Sequence, residues 1–323
     1  MSSNTILQGI LYGALAGAAW GLVFLAPELT REFSPWQLSA GRYLAYGLFA
    51  AILIAPRARK LLAQLGAAQW RALVWLSLLG NVVYYVFLAS AVQLGGMAMT
   101  SLVIGFLPVA VTIIGSRGKG AVPIARLAPS LALGLAGIAC VAWQSLAAGS
   151  SSGDGTQKLI GFFCALAALI SWTTYAVGNS HWLARLHAIS AHDWNLLIGV
   201  VTGLLSLFIA VPAFTVMLTP HDGPEWMRFT AVSAGVAIFA SLFGNACWNK
   251  ASRLLPLTMI GQMILFETLF ALLYGFLWEQ RWPTLLEVVA MLLVTASVLL
   301  CVSAHRHEGE AQMQVEVDEG GGH

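Results

Sequence analysis

Three short stripes of aromatic and amide side chains carry the chemistry this sequence offers. Asn81, Tyr84 and Tyr85 stand at i, i+3 and i+4. Trp172, Tyr175 and Asn179 stand at i, i+3 and i+7, and Asn245, Trp248 and Asn249 at i, i+3 and i+4. On a helix each set falls on one face, and Trp20 adds a further aromatic. Aromatic faces bury apolar side chains and offer a π-face to an ammonium group, while amides bind either end of a zwitterion. Together these groups suit an amino acid with a large apolar side chain. They also suit packing: Asn in a membrane helix bridges neighbouring helices, and Trp and Tyr favour the membrane interface.

Glu267 is the one carboxylate near the middle of an apolar segment. An ionised carboxylate is costly in lipid, so it faces the interior, is protonated or is paired. It can bind a substrate ammonium or carry a proton; equally, it can pair with Lys250 or Arg253, or accept hydrogen bonds from Gln262. His181, His187 and His192 lack metal-ligand spacing, so no metal and no cofactor are expected. The match to G-x-S-x-G at Gly149, Ser151 and Gly153 lies in a polar stretch, whereas a nucleophile elbow needs a strand-turn-helix setting. With no H-E-x-x-H and no acid pair in the apolar segments, a membrane-embedded enzyme is disfavoured.

The elements that hold these residues follow from composition. The 323 residues are 59% hydrophobic and only 9% charged, against roughly 25% charged in soluble domains, and the mean hydropathy is +0.79. A bilayer accommodates this much apolar surface. A net charge of +2 gives no reason to expect a nucleic-acid partner. A spanning helix needs about 20 apolar residues, and candidates run over 6–27, 36–55, 70–92, 97–115, 126–147, 159–181, 193–213, 229–250, 257–278 and 284–303. We therefore expect an all-α integral membrane protein with ten transmembrane helices. Eleven Lys and Arg residues fall on one side of such a layout and five, counting Arg42, on the other. The excess marks the cytoplasmic side and places both termini there.

The chain also echoes itself. Ser77-Leu78-Leu79-Gly80-Asn81 in the third segment returns as Ser241-Leu242-Phe243-Gly244-Asn245 in the eighth, and Trp20 in the first corresponds to Trp172 in the sixth. Residues 1–148 read as a first five-helix repeat, 149–157 as a Gly/Ser linker, 158–304 as a second repeat and 305–323 as a disordered cytoplasmic tail. Because five is odd, the second copy enters the membrane inverted, a plan that recurs in secondary transporters. Gly9, Gly13, Gly17 and Gly21 form a stripe without side chains, fitted for tight packing or for a sliding seam. Pro108 removes a backbone donor and marks a kink or hinge.

Ala18-x-Trp20-Gly21-x-x-Phe24, Pro35 followed by Arg42, Thr100-Ser101 leading to Pro108, and Gly134-x-x-Gly137 resemble, in order and spacing, the ten-span EamA-type carriers of the drug/metabolite transporter superfamily. The likeness covers Ile6 to Ser303. Half one has Gly115-Ser116-Arg117-Gly118 where the family often has Gly-Glu, and half two has Glu267 where a Pro would parallel Pro108. Trp172-x-x-Tyr175 and Ala246-x-Trp248-Asn249 are similar to the aromatic and neutral amino acid exporters of the YddG type. The resemblance implies alternating-access export of a small molecule, amino acids before other metabolites or drugs, from the bacterial inner membrane. The partners expected are that substrate and the lipid bilayer.

Overall fold

The computed structural model describes residues 3–110, 124–152, 155–183, 185–186, 188–216, 220–254 and 263–320. The chain is an all-α integral membrane protein, and every element among the described residues is helical. Six helices there are long and apolar enough to cross a membrane: Ile6–Leu29, Pro35–Leu62, Ala67–Gly95, Gly155–Leu183, Ala191–Thr215 and Gly223–Trp248. Shorter apolar helices cover Met97–Ala110, Ala125–Cys140 and Leu285–Leu300. Phe208, Val211, Leu135 and Ile170 point outward and exposed, as side chains that face lipid must.

We label the helices α1 (Ser3–Leu29), α2 (Pro35–Ile54), α3 (Ala67–Gly95), α4 (Met97–Ile104), α5 (Ile124–Ser152), α6 (Gly155–Leu183) and α7 (Ala191–Thr215). They continue with α8 (Gly223–Val236, running on to Leu254), α9 (Leu265–Glu279) and α10 (Leu285–Gly320). α2 starts at a capping box in which the Ser34 hydroxyl accepts from the Gln37 amide and the Gln37 side chain accepts from the Ser34 amide, leaving Pro35 at the first turn, where its missing N–H costs nothing. α7 also begins at a serine cap, Ser190, whose hydroxyl accepts from the Asp193 amide, without the proline or the reciprocal bond.

Glycines set which helices touch. Thirteen residues after its Ser cap, each of these two helices has a glycine, Gly47 and Gly203, and these meet: a Cβ on Gly47 would lie 2.5 Å from the Gly203 Cα. The α1 stripe packs on α9 and the residues just before it: a Cβ at Gly13 would strike Met263, at Gly17 the Phe266–Glu267 backbone and at Gly21 the Ala271 backbone; Gly9 is buried at the head of the stripe. α5 and α10 are joined by reciprocal serines. The Ser130 hydroxyl donates to the Ser297 carbonyl at 2.8 Å, and the Ser297 hydroxyl to the Ser130 carbonyl at 2.6 Å.

The third and eighth expected segments are not regular helices. Leu78–Val83 and Ala237–Gly244 are π-helical, and both overlap the echoed Ser-Leu-x-Gly-Asn sequences. π-helical turns are costly and concentrate at functional sites.

Several expectations change. Glu267 does not sit mid-helix: α9 begins at Leu265 and places it in the first turn, where the helix dipole favours a carboxylate. Arg42 belongs to no loop, since the Ser34 cap puts it two turns inside α2; it leaves the smaller group of flanking cations and sharpens the charge asymmetry. The helix over Met97–Ile104 stops at a turn at Gly105–Phe106 and resumes through Pro108 to Ala110. The break falls just before the proline, whose ring excludes a continuous hydrogen-bond ladder. The Gly/Ser stretch is helical through Ser152 and again from Gly155, and α10 runs on to Gly320; Glu, Ala, Gln and Met after residue 307 have good helix propensity. Residues 111–115 of the fourth expected span, 115–118, and 257–262 of the ninth lie outside the described residues.

Candidate functional site

Each π-helical turn frees backbone carbonyls, and each is satisfied by the first helix of the opposite half. In α3, the Leu79 carbonyl accepts from the Ser171 hydroxyl of α6 at 2.8 Å. In α8, the Ala240 carbonyl accepts from Trp20 Nε1 of α1 at 3.0 Å. The glycines of the two echoes make the matching contacts. A Cβ at Gly80 would lie 2.3 Å from the Tyr175 ring, and one at Gly244 would lie 2.8 Å from Trp20 Nε1. Only glycine lets those aromatics approach so closely.

The expected site residues separate into two kinds. Rings meet across helices and within one: Trp20 of α1 and Trp248 of α8 are tilted at 5.2 Å, and Trp172 and Tyr175, one turn apart on α6, are edge-on at 5.9 Å. The amides are engaged in packing. Asn81 donates to Thr202 Oγ1 of α7 at 3.0 Å, Asn179 accepts from Trp194 Nε1 at 3.0 Å, and Asn245 donates to the Ser241 carbonyl of its own helix at 2.8 Å. The Asn249 side chain lies outside the described residues. Tyr84 and Tyr85 are both buried, at 7% and 1% exposure.

The residue that sequence reading missed is Arg42. Its side chain is 8% exposed, and its guanidinium lies over the rings of Tyr85 at 4.3 Å and Tyr43 at 5.0 Å. Its Nε and Nη1 have no hydrogen-bond partner among the described residues. Glu267 interacts with it electrostatically, and Tyr84 lies in the field of both, but no carboxylate among the described residues closes an ion pair with Arg42. Burying an ion typically costs several kcal/mol, and two tyrosine faces recover part of that. The signal that could have found it was position: an arginine eight residues past a Ser-Pro helix start falls two turns inside the span.

A separate cavity of about 520 Å³ opens toward one end of the helices, lined in part by Arg31, Gln93, Met99, Lys158, Glu279 and Arg281. None of the expected aromatic or amide residues lines it. Its rim is an ion-pair network. Arg281 reaches both Glu287 oxygens at 2.7 Å and Glu279 at 2.5 Å, and Arg31 pairs with Glu28 at 2.6 Å. Hydrogen bonding to Glu287 raises the Arg281 pKa above its ordinary value, so this rim stays charged.

Lipid-facing helices, glycine seams and paired π-helical turns define a multi-pass membrane protein. The chain belongs to the EamA-like transporter family, whose pattern it matches twice, over residues 7–143 and 159–303. It is 33% identical over 313 residues to the inner membrane protein YtfF of Escherichia coli strain K12, a match covering 93% of this chain and 96% of that one. A solved crystal structure superposes with a TM-score of 0.57 over 92% of this chain and 98% of its own, at 18% identity, so the likeness there is one of fold. The family marks a transporter rather than an enzyme.

Proposed function

We propose that this transporter exports amino acids with aromatic or large neutral side chains from the cytoplasm of a bacterium by alternating access. In this reading it lies in the inner membrane, crosses it ten times as two inverted five-helix halves, and keeps both termini in the cytoplasm. The observation that carries the reading is the crossed pairing at the two π-helical turns: α1 caps the α8 turn and α6 caps the α3 turn. Rocking one half against the other must break or re-form both contacts together, as alternation requires. Trp20, Trp248, Trp172 and Tyr175 supply aromatic faces beside those turns, where a ring or branched side chain gains apolar contact, and Glu267 receives the ammonium. The name of the YtfF relative supports the inner-membrane placement; the similarity to the YddG-type exporters supports the substrate class.

The reading is tested by reconstituting the purified protein in liposomes and following counterflow of labelled phenylalanine, tryptophan and leucine. Saturable counterflow of at least one is expected. None with any amino acid, alongside counterflow of another metabolite, would replace the substrate class and keep the carrier.

A further inference from the structure

The most buried arginine among the described residues, Arg42 at 8% exposure, has no assigned task. Four other arginines are each paired with a carboxylate. Arg31 makes two bonds to Glu28, Arg281 binds Glu287 and Glu279, and Arg57 and Arg228 reach Asp193 and Glu32. Arg42 is held differently. Tyr85 and Tyr43 lie against its guanidinium, and the Tyr85 hydroxyl interacts with it. This fixes the group and leaves Nε–H and Nη1–H without a partner among the described residues. Stacking on aromatic faces orients an arginine without consuming all its donors. Two buried hydroxyls nearby likewise have no partner among the described residues: Ser39 Oγ, one turn earlier on α2, and Ser233 Oγ, which a Cβ at the adjacent Gly41 would meet at 2.8 Å.

The fold itself does not need a cation there. Counted from the Ser34 and Ser190 caps, with Gly47 and Gly203 in register and in contact, the position in α7 that corresponds to Arg42 is Ile198. A serine-capped helix with the same glycine crossing is therefore built in the second half with an aliphatic residue. Buried polar groups are ordinarily satisfied. An oriented guanidinium with spare donors, present in one half only, is a binding group waiting for an anion. Its depth, about 12 Å along the helix axis from the Ser34 cap, puts that anion inside the transporter. Glu267 stands within electrostatic reach but does not pair with it, so a molecule carrying both charges could be met by opposite charges from two helices.

We propose that Arg42 anchors the carboxylate of the transported substrate, in the first half alone, with the ammonium left to Glu267. This rests on the amino acid reading above and names the group that selects for an acid function. The test uses purified full-length protein and three probes: phenylalanine, phenethylamine, which lacks the carboxylate, and 3-phenylpropionate, which lacks the ammonium. Equilibrium binding is measured for the natural protein, Arg42→Gln, Arg42→Lys and Glu267→Gln, each checked for monodisperse size-exclusion behaviour. The natural protein is expected to bind phenylalanine at least tenfold more tightly than phenethylamine, a ratio typical of one charge-assisted hydrogen bond. R42Q is expected to abolish that preference and lose 3-phenylpropionate, R42K to retain part of both, and E267Q to keep 3-phenylpropionate.

A natural protein that binds phenethylamine as well as phenylalanine overturns the proposal, as does a well-behaved R42Q that still binds 3-phenylpropionate. If R42Q does not fold, the probe ratio of the natural protein and the R42K result decide. If none of the three probes binds the natural protein, the amino acid reading fails and this inference falls with it. Selective loss in R42Q alone separates the two.

Discussion

An indole N–H that bonds a backbone carbonyl across the two halves does two jobs with one atom. Trp20 satisfies the Ala240 carbonyl released by the α8 π-turn and lays its ring against Trp248. Interhelical hydrogen bonds in membranes contribute about 0.6 kcal/mol on average. Replacing Trp20 with Phe keeps much of the ring and removes the donor. The variant should lose roughly 1 kcal/mol in a reversible unfolding titration in lipid–detergent micelles and lose counterflow disproportionately, because the crossed pairing would then be present on one side only. Unchanged counterflow in W20F would remove the α1–α8 contact from the transport cycle. Glu267→Gln keeps the shape and removes the charge, and its counterflow of amino acids should fall at least tenfold with normal insertion. A counterflow rate equal to that of the natural protein would make Glu267 a packing residue.

At the scale of helices, glycine decides the neighbours. The α2–α7 crossing has no room for a side chain at Gly47 or Gly203, so Gly47→Val should separate the helices and cost about 1–3 kcal/mol, the usual range for an overpacked interior. Gly235 in α8 is the matched control, with nothing within 4 Å of a Cβ. Gly235→Ala should be neutral or stabilising by up to about 1 kcal/mol through helix propensity. Thermal unfolding of the two variants in the same detergent gives the comparison directly; equal behaviour would show that this crossing is looser than its geometry. The π-turns follow the same logic. Gly80 and Gly244 admit Tyr175 and Trp20 against the widened backbone, so a side chain there displaces a ring that spans the two halves.

Over the whole molecule, charge is distributed by end rather than by half. Arg57, Arg59, Lys60 and Arg71 cluster after α2, and Arg57 is tied to Asp193 at the start of α7. Arg31, Glu279, Arg281 and Glu287 gather round the cavity at its own mouth. The positive-inside rule assigns the first cluster to the cytoplasm, so that cavity would open to the periplasm. A fluorescent-protein fusion at the C-terminus should glow in intact cells and an alkaline phosphatase fusion there should be inactive. An active phosphatase would invert the assignment and turn the cavity toward the cytoplasm.

Membership of the membrane class, the all-helical architecture and the family pattern were legible in the sequence because each rests on local composition and periodicity. A 59% hydrophobic chain with charges at segment ends has few other solutions in water or lipid. The Ser-Leu-x-Gly-Asn echo was legible too, but not its meaning. Nothing in those residues announces a π-turn, whose existence depends on Ser171 and Trp20 arriving from the opposite half to satisfy the freed carbonyls. Tertiary structure alone also set the use of the amides. Asn81 and Asn179 stand on the expected stripes yet spend their hydrogen bonds on Thr202 and Trp194, since a polar side chain in an apolar interior takes the partner its neighbours provide. Arg42 is the converse case: one-dimensional charge counting put it at a membrane flank, and only the packing of Tyr43 and Tyr85 around it shows a cation held inside with donors to spare.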